Sequence, residues 1–375
     1  MRSRWRARAV AVDRAQMSRR HGPERRRAAE SKPTTIESAS ATSGGSRPSK
    51  TNCTSGGSGA EPSESDLSRS YWWRRKNEIV EEFIEEYGAR AARPVSVRGG
   101  TNLREECTRL KNGDGDERRS KTWFAVLNEF LDWYNDYRHA HLVFNDPDGE
   151  TVRGQMPNSH QPRYGDRYYA RLKALERQML QRYSNLSVAL LTLTGSSKND
   201  NGGWRCPADH LRDVINSWRP DRGRGVYHAL RDSLSDREWE YALVVEKHQS
   251  GYGHVHVAVF VDGELEESDF HSAIDAHLRH CDIAHRDAHD YYSEDLEERP
   301  ISVSEVNPAL EPDQYGEHDM IGNIGSYIGE YIGAHGEPLF DRGVDELAFR
   351  AACWATGTQM VRFSNGANEM IDDDL

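Results

Sequence analysis

The chain has 375 residues, enough for one large domain or two smaller ones, and a formal net charge of −12. A body this acidic repels most of a phosphate backbone, so any contact with nucleic acid has to come from a local basic or metal-bearing site. There is no run of about 18 apolar residues that would predict a membrane span, and the arginine-rich N-terminus lacks an apolar signal core. We therefore expect a cytoplasmic protein without membrane contact.

The positive charge is mostly arginine, and lysine is scarce. An acidic surface with few lysines is typical of salt-loving archaea, in which high salt screens the repulsion between charges. A GC-rich genome, which favours arginine codons, is the alternative explanation. The cysteines are widely spread and contain no CxxC pair, so their spacing predicts neither a disulfide framework nor a zinc finger.

Residues 1–70 differ from the rest, with 14 lysine and arginine residues against 7 aspartate and glutamate residues. They are rich in Arg, Ser, Gly and Pro and show no apolar periodicity, which predicts a disordered basic tail. The alternatives are a tail that grips nucleic acid and a start codon assigned too far upstream.

The region 71–160 is predicted to be helical, with origin recognition as its expected role. YWWRRKNEIVEEFIEEYG, from residue 71, and TWFAVLNEFLDWYNDY, from residue 122, each place apolar residues at helical spacing. A loop rich in Asp, Gly and Pro is expected through about residue 165, and a third amphipathic helix over 167–183.

The pattern changes at Leu186. LSVALLTLT (186–194) predicts a buried strand, and a helix is expected from Pro207 to Trp218. YALVVEK (241–247) and HVHVAVFV (254–261) flank the glycine-containing HQSGYG, which predicts a β-hairpin.

Further elements are predicted after the hairpin. Ser268 marks the start of a helix that ends near His280, ISVSEV (301–306) predicts a strand, and IGSYIGEYIG (324–333) predicts a helix. Interleaved strands and helices indicate an α+β domain over 161–340, followed by a C-terminal extension over 341–375.

The hairpin brings together groups that can bind a metal. Because side chains alternate along a strand, His254 and His256 point to the same face. If residue 246 pairs near residue 254, Glu246 lies on that face too. Two imidazoles and a carboxylate suit a divalent metal such as Mn²⁺, Zn²⁺ or Co²⁺. A polar cross-strand pair on a solvated face is the alternative.

Tyr327 and Tyr331 are four residues apart, so a helix would present both phenols on one side. An amphipathic helix with two half-buried tyrosines would show the same spacing. It would not explain the glycines at positions 322, 325, 329 and 333, since each costs about 1 kcal/mol relative to alanine in a helix. This glycine stripe predicts close packing by the sheet or by a nucleic-acid backbone.

The order LLTLT, EKHQSGYGHVHVAVF, YIGEYIG resembles the three motifs of the HUH endonucleases. The likeness is to the two-tyrosine rolling-circle replication initiators of small haloarchaeal plasmids and related viruses. It covers about 186–340, with a weaker likeness in WATGTQMVRFSNGA near the C-terminus. Three motifs in this order are far more specific than any one of them.

The resemblance implies a central antiparallel sheet with flanking helices, of the ferredoxin or RRM kind. Glu246, His254 and His256 would bind Mn²⁺ or Mg²⁺. Tyr327 and Tyr331 would nick single-stranded origin DNA, leaving a 5′-phosphotyrosine link and a free 3′-OH that starts rolling-circle replication.

Other positions of the motifs also carry expectations. Thr192 and Thr194 lie in the first motif, which the resemblance predicts to be structural and to contact DNA. Relatives often have a lysine before the second tyrosine, but this chain has Glu330, so that phosphate contact is not implied. No GxxxxGK[ST] loop is present, so a host helicase and DNA polymerase are the expected partners after the nick.

Three other functions fit parts of the pattern. A two-tyrosine transposase would use the same residues on transposon ends. A metal-dependent hydrolase of small molecules would use the metal triad and not need the tyrosines. A non-catalytic DNA-binding module with a ferredoxin-like sheet would bind without metal.

A separate cluster of histidines has two interpretations, a zinc site or a set of solvated side chains on a helix surface. Its members are His277, His280, Cys281, His285 and His289.

Overall fold

The computed structural model describes residues 64–96, 103–110, 118–138, 140–145, 150–248, 250–295, 298–309, 320–322, 324–325, 328–329 and 338–374. The predicted tail therefore lies outside the described residues up to residue 63. In the described part of the chain, no helix is both long enough and apolar enough to cross a membrane.

The described helices include α1 Glu64–Ala91, α2 Trp123–Tyr137, α3 Pro162–Arg182, α4 Pro207–Asn216, α5 Val226–Ser233, α6 His271–His280, α7 Val344–Thr356 and α8 Asn365–Asp374. The strands are β1 Thr108–Leu110, β2 Arg118–Ser120, β3 His141–Asn145, β4 Thr151–Gln155, β5 Leu186–Leu193, β6 Trp239–Lys247, β7 Gly253–Asp262, β8 Ile301–Val306, β9 Met320–Ile321 and β10 Val361–Phe363.

The chain divides into two compact units, one of residues 1–70 and 141–154 and the other of 71–140 and 155–375. The described strands of the first unit are β3 and its partner β4. The prediction of a loop here was wrong. All five side chains of β3 are exposed, so the strand has no buried face. Its sequence HLVFN therefore lacks the alternation of apolar and polar residues by which a half-buried strand is recognised.

The three helices predicted before the sheet are confirmed, and the first two each bury one apolar side. Ile79 and Phe83 of α1 are fully buried, as are Leu127 and Phe130 of α2. Thr122 begins α2 by accepting a hydrogen bond from the N–H of Ala125, which satisfies one of the free donors of the first turn. Helix α1 begins at Glu64, within the stretch expected to be the tail.

The second unit contains a six-stranded sheet in the order β10-β6-β7-β5-β8-β9. Its neighbours pair antiparallel except for the last two strands, which are parallel. This confirms an α+β fold with a central antiparallel sheet. The segment expected to be a C-terminal extension supplies the edge strand β10 and helices α7 and α8.

Each face of the sheet has its own core because side chains alternate along every strand. The first core packs Leu191, Val245 and Val257 of the sheet with side chains of α1, α2, α4 and α7. The second core packs Leu190 and Phe260 with side chains of α3 and α8.

Candidate metal centre

The predicted hairpin is confirmed, with β6 and β7 in the register that pairs Glu246 with His254 and Val244 with His256. The turn between them is closed by the N–H of Gly251, which donates to the carbonyl of His248 at 2.8 Å. Gly251 has a φ of 76°, a conformation that residues with a Cβ adopt only at a cost. The expectation that Glu246 lies opposite the first histidine is therefore correct.

All three polar side chains lie on the face of the second core. Glu246 follows Ala242 and Val244 of that core at two-residue steps, and His254 and His256 precede Ala258 in the same way. At this end of the hairpin the apolar packing gives way to a polar site.

The three side chains converge tightly. Nε2 of His254 lies 3.2 Å from Oε2 of Glu246, and Nε2 of His256 lies 3.0 Å from the same oxygen. The two Nε2 atoms are 3.1 Å apart. The side chains of His254 and His256 are 14% and 8% exposed and that of Glu246 is 32% exposed, so the site is open on the carboxylate side.

The charge of the Glu246 carboxylate is determined by its hydrogen bonds. Burial by itself would raise the pKa of Glu246, but hydrogen bonds from His254 and His256 outweigh burial and lower that pKa to about 2. The carboxylate is therefore ionised at any pH at which the protein would work.

The donor set fits a divalent cation. Two imidazole nitrogens and one carboxylate oxygen, all within 4.8 Å of one another, form a group that could hold a metal ion. Ligand atoms next to each other on an ion with bonds of about 2.0–2.2 Å are separated by roughly 3 Å, which matches the distances seen here. The two Nε2 atoms and Oε2 of Glu246 can pair through shared hydrogens only two at a time, whereas one cation could bind all three.

Thr192 is placed beside this group rather than away from it. It faces His256 across the β5–β7 pairing, and its Oγ1 lies 3.2 Å from Nδ1 of His256. If Nε2 held a metal, Nδ1 would carry the hydrogen and would donate it to Thr192 Oγ1. Such partners of ligating histidines fix the tautomer and the ring orientation. This orienting contact is not foreseen from the sequence.

Thr194 is held through its backbone by two histidines of the proposed zinc cluster. Its N–H donates to Nε2 of His289 at 3.2 Å, and its carbonyl lies 2.8 Å from Nε2 of His277. Both histidines are fully buried, and burial lowers the pKa of each. Neither a zinc site nor a solvated surface describes them, because their ring nitrogens bond to the end of β5.

His248 stands at the edge of the site, with its ring centroid 5.8 Å from that of His254. Its Nδ1 accepts a hydrogen bond from the backbone N–H of Ser250 at 3.2 Å. Its Nε2 therefore carries the hydrogen in either charge state. Nothing in the sequence marks this residue as part of the site, and it lies one position past the end of β6.

Tyr327, Tyr331 and Glu330 lie outside the described residues, whereas their neighbours 324, 325, 328 and 329 are helical. Ile324 and Ile328 are fully buried in the second core.

Two glycines of the stripe, Gly325 and Gly329, face α3. A Cβ on Gly325 would lie 2.2 Å from Cδ of Lys173, and one on Gly329 would lie 3.0 Å from Cε2 of Tyr169. At these two positions the close neighbour is a helix side chain, so the expectation of packing by the sheet is wrong there, whereas packing by a nucleic-acid backbone stays a prediction.

Comparison with known proteins identifies the family of the chain. Residues 91–374 match the family described as "Putative rep protein (DUF1424)". The chain belongs to this family. The description connects it with replication and with DNA as a partner, in agreement with the Rep-like resemblance of its motifs.

The curated relatives come from halophilic archaea. An "Uncharacterized 36 kDa protein" of Halobacterium salinarum is 35% identical over 282 residues, covering 75% of this chain and 85% of the relative. A protein with the same description from Halobacterium sp. (strain GN101) is 36% identical over 284 residues, covering 73% and 83%. No solved structure matches.

Proposed function

We propose that this Rep-family chain is a metal-dependent DNA endonuclease and strand transferase that nicks a replication origin through a tyrosine. The site residues would be Glu246, His254 and His256 for the metal and Tyr327 and Tyr331 for the covalent chemistry. The product would be a 5′-phosphotyrosine link and a free 3′-OH that starts rolling-circle replication.

One observation carries this proposal. The metal triad and the segment that contains the two tyrosines use the same face of the sheet, since Ile324 and Ile328 belong to the second core together with Val244 and Ala258. Two further contacts tie that segment to α3. The N–H of Ile324 donates to Oε1 of the buried Glu176 at 2.7 Å, and Gly325 packs on Lys173.

The reaction requires a tyrosine hydroxyl to act as the nucleophile. A phenol has a pKa of about 10, so it must lose its proton as it attacks the scissile phosphorus. The bond from the phenolic oxygen to phosphorus forms, the bond from phosphorus to the 3′-oxygen breaks, and that oxygen takes up a proton. A second tyrosine allows a later transfer in the reverse sense, which joins the displaced strand into a circle.

The chain's own residues prepare the phosphate site. Glu246, His254 and His256 would hold Mn²⁺ or Mg²⁺, which when bound stabilises the charge that develops on the phosphate oxygens. Thr192 orients His256, and the buried contacts of His277 and His289 hold the end of the strand that carries Thr192. We propose that Thr192 and Thr194 also face the DNA.

The nicking reaction neither unwinds nor copies the DNA, so other proteins have to carry out these steps. The nick provides a primer end but no unwinding, so we propose that a host helicase and DNA polymerase act next. Unwinding that depends on ATP and is carried out by the pure protein would contradict this.

The test is formation of a covalent adduct with single-stranded oligonucleotides that tile the replicon carrying the gene, in high salt with Mn²⁺. We expect an adduct that survives denaturing electrophoresis and that EDTA prevents. The double change of Tyr327→Phe and Tyr331→Phe should abolish it, and the control Tyr292→Phe, at a side chain that is 73% exposed, should not.

His254→Ala separates the remaining functions, with His285→Ala at an exposed position as its matched control. We expect His254→Ala to lose cleavage and keep DNA binding. An adduct that persists without both tyrosines would refute the mechanism. Metal-dependent hydrolysis of small molecules by the same double variant would favour the hydrolase, and metal-independent binding without any adduct would favour the non-catalytic module.

A further inference from the structure

A group of cations gathers around one indole ring beside the turn between β6 and β7. The guanidinium of Arg90 lies 4.0 Å from the ring centroid of Tyr87 and 4.6 Å from that of Trp204. The ammonium of Lys198 lies 5.0 Å from the centroid of Trp204. Aromatic faces attract cations through the ring quadrupole, which holds the charges in place without neutralising them.

Two more arginines complete what we call the Trp204 cluster, formed by Arg90, Arg93, Lys198, Trp204 and Arg205. A Cβ on Gly203 would lie 2.6 Å from Nη2 of Arg93, so that guanidinium covers the loop next to the indole. Nε of Arg205 donates to the carbonyl of Lys198 at 3.1 Å.

The Trp204 cluster differs from other arginines of the chain in its partners. Arg237 pairs with Asp269 at 3.0 Å and Arg299 with Glu267 at 3.1 Å. Among the residues that the structure describes, none of the four cations of the cluster is seen in an ion pair with a carboxylate.

Two acidic residues, Asp345 and Glu86, lie near Tyr87, and Asp345 is already engaged. Asp345 raises the pKa of Tyr87 together with burial, the larger cause, so it lies close to the cluster. Its carboxylate is paired with Lys247.

The cluster is fixed to the turn that carries the metal triad. Nη1 of Arg90 donates to the carbonyl of Ser250 at 3.0 Å. The hydroxyl of Tyr252 donates to the carbonyl of Arg205 at 2.8 Å, and its ring stacks on Trp204 at 6.2 Å between centroids. Ser250 and Tyr252 lie in the turn between the strands that carry Glu246 and His254, so the cluster contacts the turn of that hairpin.

We propose that the Trp204 cluster binds phosphates of the single strand next to the scissile bond. This inference rests on the proposed nicking function, because it supplies the local positive site that so acidic a chain needs to hold DNA. Guanidinium groups suit phosphate oxygens, since their planar fork donates in pairs.

The test is binding of a fluorescent single-stranded thymidine oligonucleotide in EDTA, measured by anisotropy over a range of salt. The double variant Lys198→Gln and Arg205→Gln removes two charges but keeps polar side chains of similar length. For single strands the salt slope changes by about 0.7 for each phosphate contact, so the double variant should lose about 1.4 from the slope and bind more weakly.

The matched control is the double variant Arg219→Gln and Arg222→Gln. Arg219 also lies over an aromatic ring, 3.8 Å from the centroid of Tyr227, and both arginines are exposed. This control should leave the slope unchanged. Lys198→Gln alone, at an exposed side chain, should lose about half as much slope, which keeps the test valid if the double variant does not fold.

The outcomes separate this inference from the nicking function. An unchanged slope in the cluster variants, with the wild type forming the adduct, would overturn the cluster and leave the function intact. A reduced slope with no adduct in any condition would support the cluster and refute nicking. Equally tight binding of polyglutamate of the same charge would overturn the assignment to phosphate.

Discussion

Replacing Thr192 with valine removes one hydroxyl beside the metal centre and keeps the shape of the side chain. That hydroxyl lies 3.2 Å from Nδ1 of His256 and accepts its hydrogen when Nε2 binds a metal. The lost hydrogen bond by itself is worth about 1 kcal/mol. Losing such a partner of a ligating histidine typically weakens metal binding by roughly 10- to 100-fold.

This range corresponds to about 1.4–2.8 kcal/mol of binding free energy. Titration calorimetry with Mn²⁺ on the purified chain measures it directly. Thr194→Val, one residue past the end of β5, is the matched control and should bind Mn²⁺ like the wild type. Equal affinities of Thr192→Val and the wild type, in a protein whose His254→Ala variant has lost the metal, would refute the orienting role of Thr192.

Three further changes test the surroundings of the site. Burial lowers the pKa of His210 to about 4, so below about pH 6.5 the folded state binds fewer protons than the unfolded state. The stability that the neutral His210 contributes is therefore complete above about pH 6.5 and is lost as the pH falls towards 4. In urea unfolding, the free energy of unfolding should fall between pH 7 and pH 5 by about 2 kcal/mol less in His210→Gln than in the wild type. An equal fall in both proteins would contradict this. Gly251→Ala should cost more stability than Gly357→Ala, because both have a positive φ but only a Cβ on Gly251 would meet a neighbour, at 1.9 Å; equal melting temperatures would refute this. Glu176→Ala removes the acceptor of the Ile324 N–H, so it should slow adduct formation without changing Mn²⁺ affinity, and slowing caused by a loss of metal would refute the link.

The predictable part of the site is the part made by neighbours in the chain. Glu246, His254 and His256 come together through a short turn and strict alternation of side chains, and both are visible in the sequence. The contact from Thr192 to His256 spans 64 positions and depends on which strand lies beside β7. No local pattern determines that choice.

Other features were missed for the same physical reason. Strand β10 has only three residues, too few to show an alternation, and it pairs with a strand more than 100 positions earlier. The cations around Trp204 come from α1, the loop after it and the loop after β5, so their proximity exists only in the fold. The buried histidines His277, in α6, and His289, after it, could be interpreted as ligands because a sequence does not show that main-chain groups will bond to them.

The most direct test of the central claim is to locate the nucleotide on the protein. The adduct formed with single-stranded DNA and Mn²⁺ is digested with nuclease and protease, and the modified peptide is identified by mass spectrometry. We predict a 5′-linked nucleotide on Tyr327 or Tyr331, absent from the sample treated with EDTA. A nucleotide attached to any other residue, or an adduct that forms equally well without metal, would contradict the account.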